Sequence, residues 1–361
     1  MKKLLVLMLS IFVLNVFAQS EHKTKNIILI TLDGYRWQEL FTGADSALVF
    51  NKEYTANTFN TVTRFWGATE NERRQKLMPF MWQTLAQQGQ LYGNRRLNNK
   101  VNATNPHWVS YPGYCEILCG YVDTLIGGNK KRNNPNITVL EFLNNIEEFK
   151  GKVAVFSSWD VFPYIVNANR SKIPVNTGFS RAENEQGSAN IKLLNTMQNQ
   201  VPELFGGVRF DVFTHYLAME YMKKHNPRVI FIGYGEPDEW AHKGKYENYL
   251  QSANYIDQFI ADIWNFVQTN PFYKDKTTLL ITTDHGRGDA KKGKWKSHGF
   301  DIVGAGDVWL AAIGPDTKPL GEIKTEGQLY LTQIAQTIAN LLGLEYSNHK
   351  PLGGAVISII H

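Results

Sequence analysis

Thr277-Thr278-Leu279-Leu280-Ile281-Thr282-Thr283-Asp284-His285-Gly286 is the stretch that decides how this chain is read. The run from Thr277 to Ile281 has the β-branched and aliphatic content of a buried strand, and Gly286 lets the backbone turn away without a Cβ clash. An Asp and a His side by side at the C-terminal end of such a strand point into the crevice where open α/β sheets bind ligands. An isolated Asp-His pair serves equally well as a turn or a cap. Here three other strand ends carry Asp, His or Ser in similar settings.

Asn26 to Leu32 is a continuous apolar run of the kind found in parallel strands buried on both faces, and it ends at Asp33-Gly34. Lys152 to Ser158, Arg228 to Ile232 and Val308 to Ile313 read as further strands, with a shorter one over Leu91 to Leu97. Helical periodicity is expected over Pro79 to Gln88 with Gly89 as its stop, Thr138 to Phe149, Asp211 to Lys224, Tyr246 to Thr269 and Leu329 to Leu342. This alternation, without a linker-like boundary, predicts a single α/β domain over residues 24–348, built on a largely parallel central sheet with helices on both faces. Residues 159–207 are polar and irregular apart from a helix over Ala189 to Gln198, with too few apolar side chains for their own core, and read as a small insertion beside the active site.

Composition bounds the function. With 361 residues, 43% of them hydrophobic, the chain can bury a large core. Lys2 and Lys3, the apolar run Leu4 to Phe17 and the closing Val16-Phe17-Ala18 read as a secretory signal over residues 1–18, cut after Ala18. The expected location is periplasmic or secreted, with no stable membrane anchor after cleavage; no Cys follows the run, which argues against a lipoprotein. Cleavage takes away two of five net positive charges. The remaining basic residues are scattered apart from Lys130-Lys131-Arg132 and Lys291, Lys292, Lys294 and Lys296, so the chain carries no nucleic-acid footprint. Cys115 and Cys119 stand four apart on a helix, too far for a disulfide, and are expected as buried thiols.

Two further motifs join Asp33, Asp284 and His285. In Trp108-Val109-Ser110-Tyr111-Pro112-Gly113-Tyr114, Ser110 reads as the N-cap of a helix with Pro112 in its first turn. A hydroxyl there also meets the helix's partial positive charge, which favours an alkoxide and an incoming phosphate. In Gly235-Glu236-Pro237-Asp238-Glu239-Trp240-Ala241-His242, Asp238 and His242 are four apart, so one helical turn puts both on one face, a natural way to hold a metal ion. His298-Gly299 follows a glycine- and lysine-rich loop. Together Asp33, Ser110, Asp238, His242, Asp284, His285 and His298 offer four oxygens and three imidazoles. That set suits two Zn²⁺-like divalent ions better than Ca²⁺ or Mg²⁺.

The order and spacing of these motifs resemble the alkaline phosphatase superfamily over residues 26–345. Leu32-Asp33-Gly34 with Ser110-Tyr111-Pro112-Gly113-Tyr114 looks most like its nucleotide pyrophosphatase/phosphodiesterase branch. The resemblance implies an alkaline phosphatase-like fold and a phosphoester hydrolase acting on a small-molecule phosphate ester through a phosphoserine. It also implies one metal on Asp238, His242 and His298, and a second on Asp33, Asp284, His285 and the Ser110 oxygen. Asn129, nineteen residues after Ser110, resembles an asparagine that binds a non-bridging phosphate oxygen in that branch. The chain departs from the branch in having Ser where Thr is usual, and Gly113 and Tyr114 where Asn and His are usual. A sulfatase would need Arg in place of Tyr114 in its Cys/Ser-x-Pro-x-Arg signature. The large inserted domain of a phosphoglycerate mutase-like relative is missing, and a non-catalytic binding protein would be expected to have lost one of the seven residues. A monoester calls for extra cations near the metals. None follows the strand that ends Ser157-Ser158-Trp159-Asp160, which favours a diester with an apolar group against Trp159, unless Arg170 or the Lys130-Arg132 cluster supplies the charge.

Overall fold

The computed structural model describes residues 22–183, 187–290 and 293–360. The expected signal over residues 1–18 lies outside them. Its strands are β1 (Asn26–Leu32), β2 (Gln90–Tyr92), β3 (Asn99–Asn102), β4 (Val153–Ser157), β5 (Val175–Thr177), β6 (Val229–Tyr234), β7 (Thr277–Thr282), β8 (Asp307–Val308), β9 (Leu310–Ile313), β10 (Gly321–Glu322) and β11 (Gly327–Tyr330). Eight form one sheet in the order β10-β2-β9-β7-β1-β6-β4-β5, and a smaller sheet runs β11-β3-β8. From β7 to β5 all pairings are parallel; β9 runs antiparallel to both β7 and β2.

β1 shows why the sheet is buried on both sides. Ile28, Ile30 and Leu32 join one apolar core with Tyr249, Ala253 and Ile256 of the Tyr246–Thr269 helix, while Ile27 and Leu29 join the other with Ile117 and Leu118 of the Ser110–Cys119 helix. This is the period-2 alternation of a strand with apolar residues at every position. Register places Leu32 beside Tyr234 and Thr31 beside Thr282, so the segments leaving β1, β6 and β7 emerge together at one edge.

The sequence-level elements hold with local differences. The expected helix over Pro79 to Gln88 is a π-helical turn, Met81–Leu85, followed by a short α-turn to Gln88, with Gly89 as its C-cap. The expected strand to Leu97 stops at Tyr92, because Asn94 caps a 3₁₀ turn over Arg95–Leu97. The last helix begins at Gln333, not Leu329, since Gly327–Tyr330 pairs with β3. Residues 159–207 supply the edge strand β5 and the Ala189–Gln200 helix. Cys115 and Cys119 are free, buried thiols. No helix among the described residues is long and apolar enough to cross a membrane.

Candidate active site

The ends of β1, β6 and β7 bring the polar residues together. Asp33 follows β1 directly, Asp284 follows β7 after Thr283, and β6 runs through Gly235 into the Glu236–His242 helix that carries Asp238 and His242. That helix is held from behind: Asp211 accepts from the amides of Gly235 (2.7 Å) and Glu236 (3.0 Å), and Glu236 accepts from the Asp211 amide (2.9 Å).

His285 lies at the centre. Its Nε2 is 3.4 Å from Asp33 Oδ1, 3.5 Å from Asp284 Oδ2, 3.8 Å from Asp238 Oδ1 and 3.4 Å from Ser110 Oγ. Ser110 Oγ is also 3.5 Å from Asp33 Oδ1. His242 Nε2 is 3.0 Å from both Asp238 Oδ2 and His298 Nε2, and His298 Nε2 is 3.7 Å from Asp238 Oδ1. All seven residues singled out by sequence therefore meet in one place.

Ser110 needs one correction. It is the first residue of the Ser110–Cys119 helix and not its N-cap; Val109 holds that position and makes no side-chain cap hydrogen bond. The hydroxyl is free of capping and faces the cluster instead. Asn129 sits at the same helix start, where its Oδ1 accepts from the Tyr111 amide at 2.9 Å. The group it can offer a ligand is therefore its Nδ2 amide. Arg170 is elsewhere, bound to Glu141 and to the carbonyls of Asn134, Pro135 and Asn136. Lys131 is paired with Asp160 at 2.5 Å.

Three features escaped sequence reasoning. Tyr114 donates to Asp33 Oδ2 at 2.9 Å, and only its place one helical turn after Ser110 could have suggested it. Arg287 is ion-paired with Asp238 deep in the cluster, and its only sequence signal is that it lies two residues after His285. Trp108 has φ +46°, a rare conformation for a bulky residue. In that conformation its carbonyl accepts from His298 Nδ1 at 2.9 Å. His285 Nδ1 has the same kind of partner, the Gly286 carbonyl at 2.9 Å. Such bonds fix the tautomer that leaves Nε2 free as a ligand atom.

Close backbone approach is built in by two glycines. A Cβ on Gly113 would stand 2.4 Å from the Asp284 carbonyl, so only glycine lets the helix abut that strand end. Gly34 has φ +59°, and a Cβ there would stand 2.5 Å from Asp238 Oδ1.

The electrostatics are those of a site short of positive charge. Burial, then repulsion from Asp238, pushes the Asp33 carboxyl well above its ordinary range; burial, then Asp33, does the same to Asp284. Burial, then the neighbouring His285, holds His298 down to about 2, so that it is a neutral imidazole. Asp284 Oδ2 is buried without a hydrogen-bond partner. Converging carboxylates, neutral imidazoles and an orphaned buried carboxylate oxygen are what divalent cations would satisfy. Two overlapping triads have the required closeness, Asp33-Asp284-His285 and Asp238-His285-His298.

Residues 213–346, which include Asp238, His242, Asp284, His285 and His298, match the sequence model of the metalloenzyme superfamily. The match covers that C-terminal segment and leaves Asp33 and Ser110 outside it. No curated protein is significantly similar in sequence. The lipoteichoic acid synthase LtaP of Listeria monocytogenes superposes with a TM-score of 0.58 at 13% identity, over 94% of this chain and 76% of its own. The phosphonate monoester hydrolase of Agrobacterium radiobacter gives 0.54 at 12% identity, over 93% and 77%. A variant of the alkaline phosphatase PafA gives 0.57 at 10%, over 94% and 99%. At such identities these likenesses speak for the fold alone.

Proposed function

We propose that this protein is an exported, two-metal phosphoester hydrolase that prefers phosphodiesters, with Ser110 as its nucleophile. The observation that carries the reading is the Ser110 hydroxyl, uncommitted to capping and 3.4 Å from His285 Nε2 in a pocket of converging metal-type donors. Asp33, Asp284, His285 and the Ser110 oxygen would hold one divalent ion of the Zn²⁺ kind, and Asp238, His242 and His298 the other. What such ions supply is a lower pKa for the serine hydroxyl and charge stabilisation on the phosphoryl and leaving oxygens.

The chain's own residues do the rest. Ser110 Oγ gives up its proton to water and bonds to phosphorus as the bond from phosphorus to the leaving oxygen breaks; the leaving oxygen takes a proton from water, and a second water later cleaves the phosphoserine, releasing a phosphate monoester and restoring the serine hydroxyl. The start of the Ser110–Cys119 helix places its partial positive charge beside the phosphoryl group. Asn129 Nδ2 donates to a non-bridging oxygen. Tyr114 and the Trp108 carbonyl keep Asp33 and His298 in place.

The preference for a diester rests on where the cations are spent. Arg170 is bound to Glu141 and Lys131 to Asp160, and Ser157 to Asp160 bring no cation to the end of β4. Neither Arg170 nor Lys131 is then free to meet the second charge of a monoester. Trp159, half-buried and 6.5 Å from Tyr114 between ring centres, offers a face for an apolar ester group. A sulfatase is disfavoured because Tyr114, bonded to Asp33, stands where that signature needs Arg. Hydrolysis of a monoester, a diester and a sulfate ester that share one nitrophenyl chromophore tests the reading. The diester should turn over fastest; fastest turnover of the sulfate ester would overturn it.

A further inference from the structure

The two sides of the ligand cluster are not equivalent, and Arg287 is the difference. Its side chain is buried, with Nη1 paired to Asp238 Oδ1. Nε donates to the Trp295 carbonyl at 2.7 Å and Nη2 to the Lys296 carbonyl at 2.5 Å. A Cβ on Gly34 would lie 2.5 Å from Asp238 Oδ1 and 2.9 Å from Arg287 Nη1, which puts this ion pair inside the cluster and not at its rim. The guanidinium cannot swing out without orphaning the buried Trp295 carbonyl, the part-buried Lys296 carbonyl and a buried carboxylate oxygen.

The histidines show the same inequality. His285 and His298 each point Nδ1 at a carbonyl, of Gly286 and of Trp108, so each presents a free Nε2. His242 Nδ1 instead faces Arg287 Nη2 at 3.4 Å, a donor set against the nitrogen that must carry the proton if Nε2 is to bind a metal. On the Asp238 side a dication would meet a fixed positive charge, a carboxylate with one oxygen already taken and an unprepared imidazole. On the Asp33 and Asp284 side the carboxylate oxygens already taken are held by neutral donors, the Tyr114 hydroxyl and the Gly34 amide, no guanidinium is paired to either carboxylate, His285 is prepared, and Asp284 Oδ2 has no hydrogen-bond partner.

We propose that Arg287 is a resident cation of the site. It neutralises Asp238 while the cluster is without metal, holds the loop before His298 in register, and makes the two metal positions unequal. The position of Asp33, Asp284 and His285 fills first and tightly; that of Asp238, His242 and His298 fills second and weakly. This rests on the two-metal reading above, and one set of titrations tests both.

Chelator-stripped full-length protein is titrated with Zn²⁺ by calorimetry, with bound metal counted by elemental analysis, for wild type, Arg287→Met, Arg287→Lys and His242→Ala. Wild type should show two sites whose Kd values differ by at least about tenfold. His242→Ala should remove only the weak one. Arg287→Met should tighten the weak site by about tenfold or more and lower the melting temperature of the metal-free protein, leaving that of the zinc-loaded protein nearly unchanged. Arg287→Lys should keep the gap. Two equal sites in wild type, or an unchanged gap in Arg287→Met, would overturn the role of Arg287 while leaving the metal reading intact. Wild type that binds no Zn²⁺ would overturn both. Should Arg287→Met fail to fold, the wild-type, Arg287→Lys and His242→Ala titrations still decide.

Discussion

The hydroxyl of Tyr114 donates to Asp33 Oδ2 at 2.9 Å, with both residues buried. Asp33 Oδ1 is thereby left to face Ser110 and His285. Burial raises the Asp33 carboxyl and this hydrogen bond counteracts it, so Tyr114 helps to keep the ligand ionised. The ring packs edge-on against Phe162 at 4.7 Å, an anchor that Phe would retain. Tyr114→Phe should therefore fold normally and lose about 10- to 100-fold in zinc affinity or kcat/KM, the usual cost of removing a partner that orients a metal ligand. Unchanged affinity and turnover in the variant would show that the bond only fills space.

Ser110 separates catalysis from capping more cleanly than its sequence context suggests. Because its side chain caps nothing, Ser110→Ala should forgo the roughly 1 kcal/mol that loss of a cap costs. Turnover should fall by several orders of magnitude with zinc content largely kept, and Ser110→Thr should keep part of the activity. Stopped-assay kinetics beside a urea melt check this. Near wild-type turnover in Ser110→Ala would move the attacking group to water.

The legible parts of the molecule were those written in local pattern. Strands β1, β6 and β7 are continuous apolar runs, and the residues that end them, Asp33, Asp238 with its helix, and Asp284-His285, could be placed at one sheet edge from period and polarity alone. Tyr114 and Arg287 were not legible, because a tyrosine in a buried helix and an arginine in a loop acquire their roles only from partners 81 and 49 residues away. The helices Trp37–Thr42, Thr58–Phe65 and Glu70–Leu77 went unread for a different reason. They are short, and the last is almost wholly polar, ENERRQKL, held by a Thr69–Glu72 capping box and not by an apolar stripe.

Gly34 ties the fold to the site. Its φ of +59° disfavours any side chain, and a Cβ would press on Asp238 Oδ1 at 2.5 Å while its amide donates to Asp284 Oδ1 at 3.1 Å. Gly34→Ala should cost more than about 1 kcal/mol from the left-handed backbone alone. It should also displace Asp238 and lower the zinc content. A variant with wild-type zinc content and stability would mean that the turn has room the geometry denies it.

His215 predicts how the fold responds to acid independently of the metal cluster. It is 1% exposed, stacked on Phe259 with ring centres 4.3 Å apart, and its Nδ1 is 3.2 Å from the Tyr234 hydroxyl. Nε2 has no hydrogen-bond partner, and Asp262, 3.7 Å away, is half-exposed and offsets little of the burial. Burial, then the charge of Lys223, holds the imidazole down to about 3. The folded pKa therefore lies below the unfolded value of about 6.5. As pH falls through that value the unfolded chain takes up a proton that the folded chain refuses, so stability present above it is lost progressively toward pH 3, at up to about 1.4 kcal/mol per pH unit. His215→Phe keeps the stacking face and removes the titration. Relative to wild type, the variant should gain about 2 to 3 kcal/mol between pH 7.5 and 4.5, whatever it loses at pH 7.5 from the missing Tyr234 bond. Urea melts of both proteins at the two pH values measure this difference directly. Parallel pH dependence in the two would show that His215 is protonated within the fold and that Asp262 compensates it.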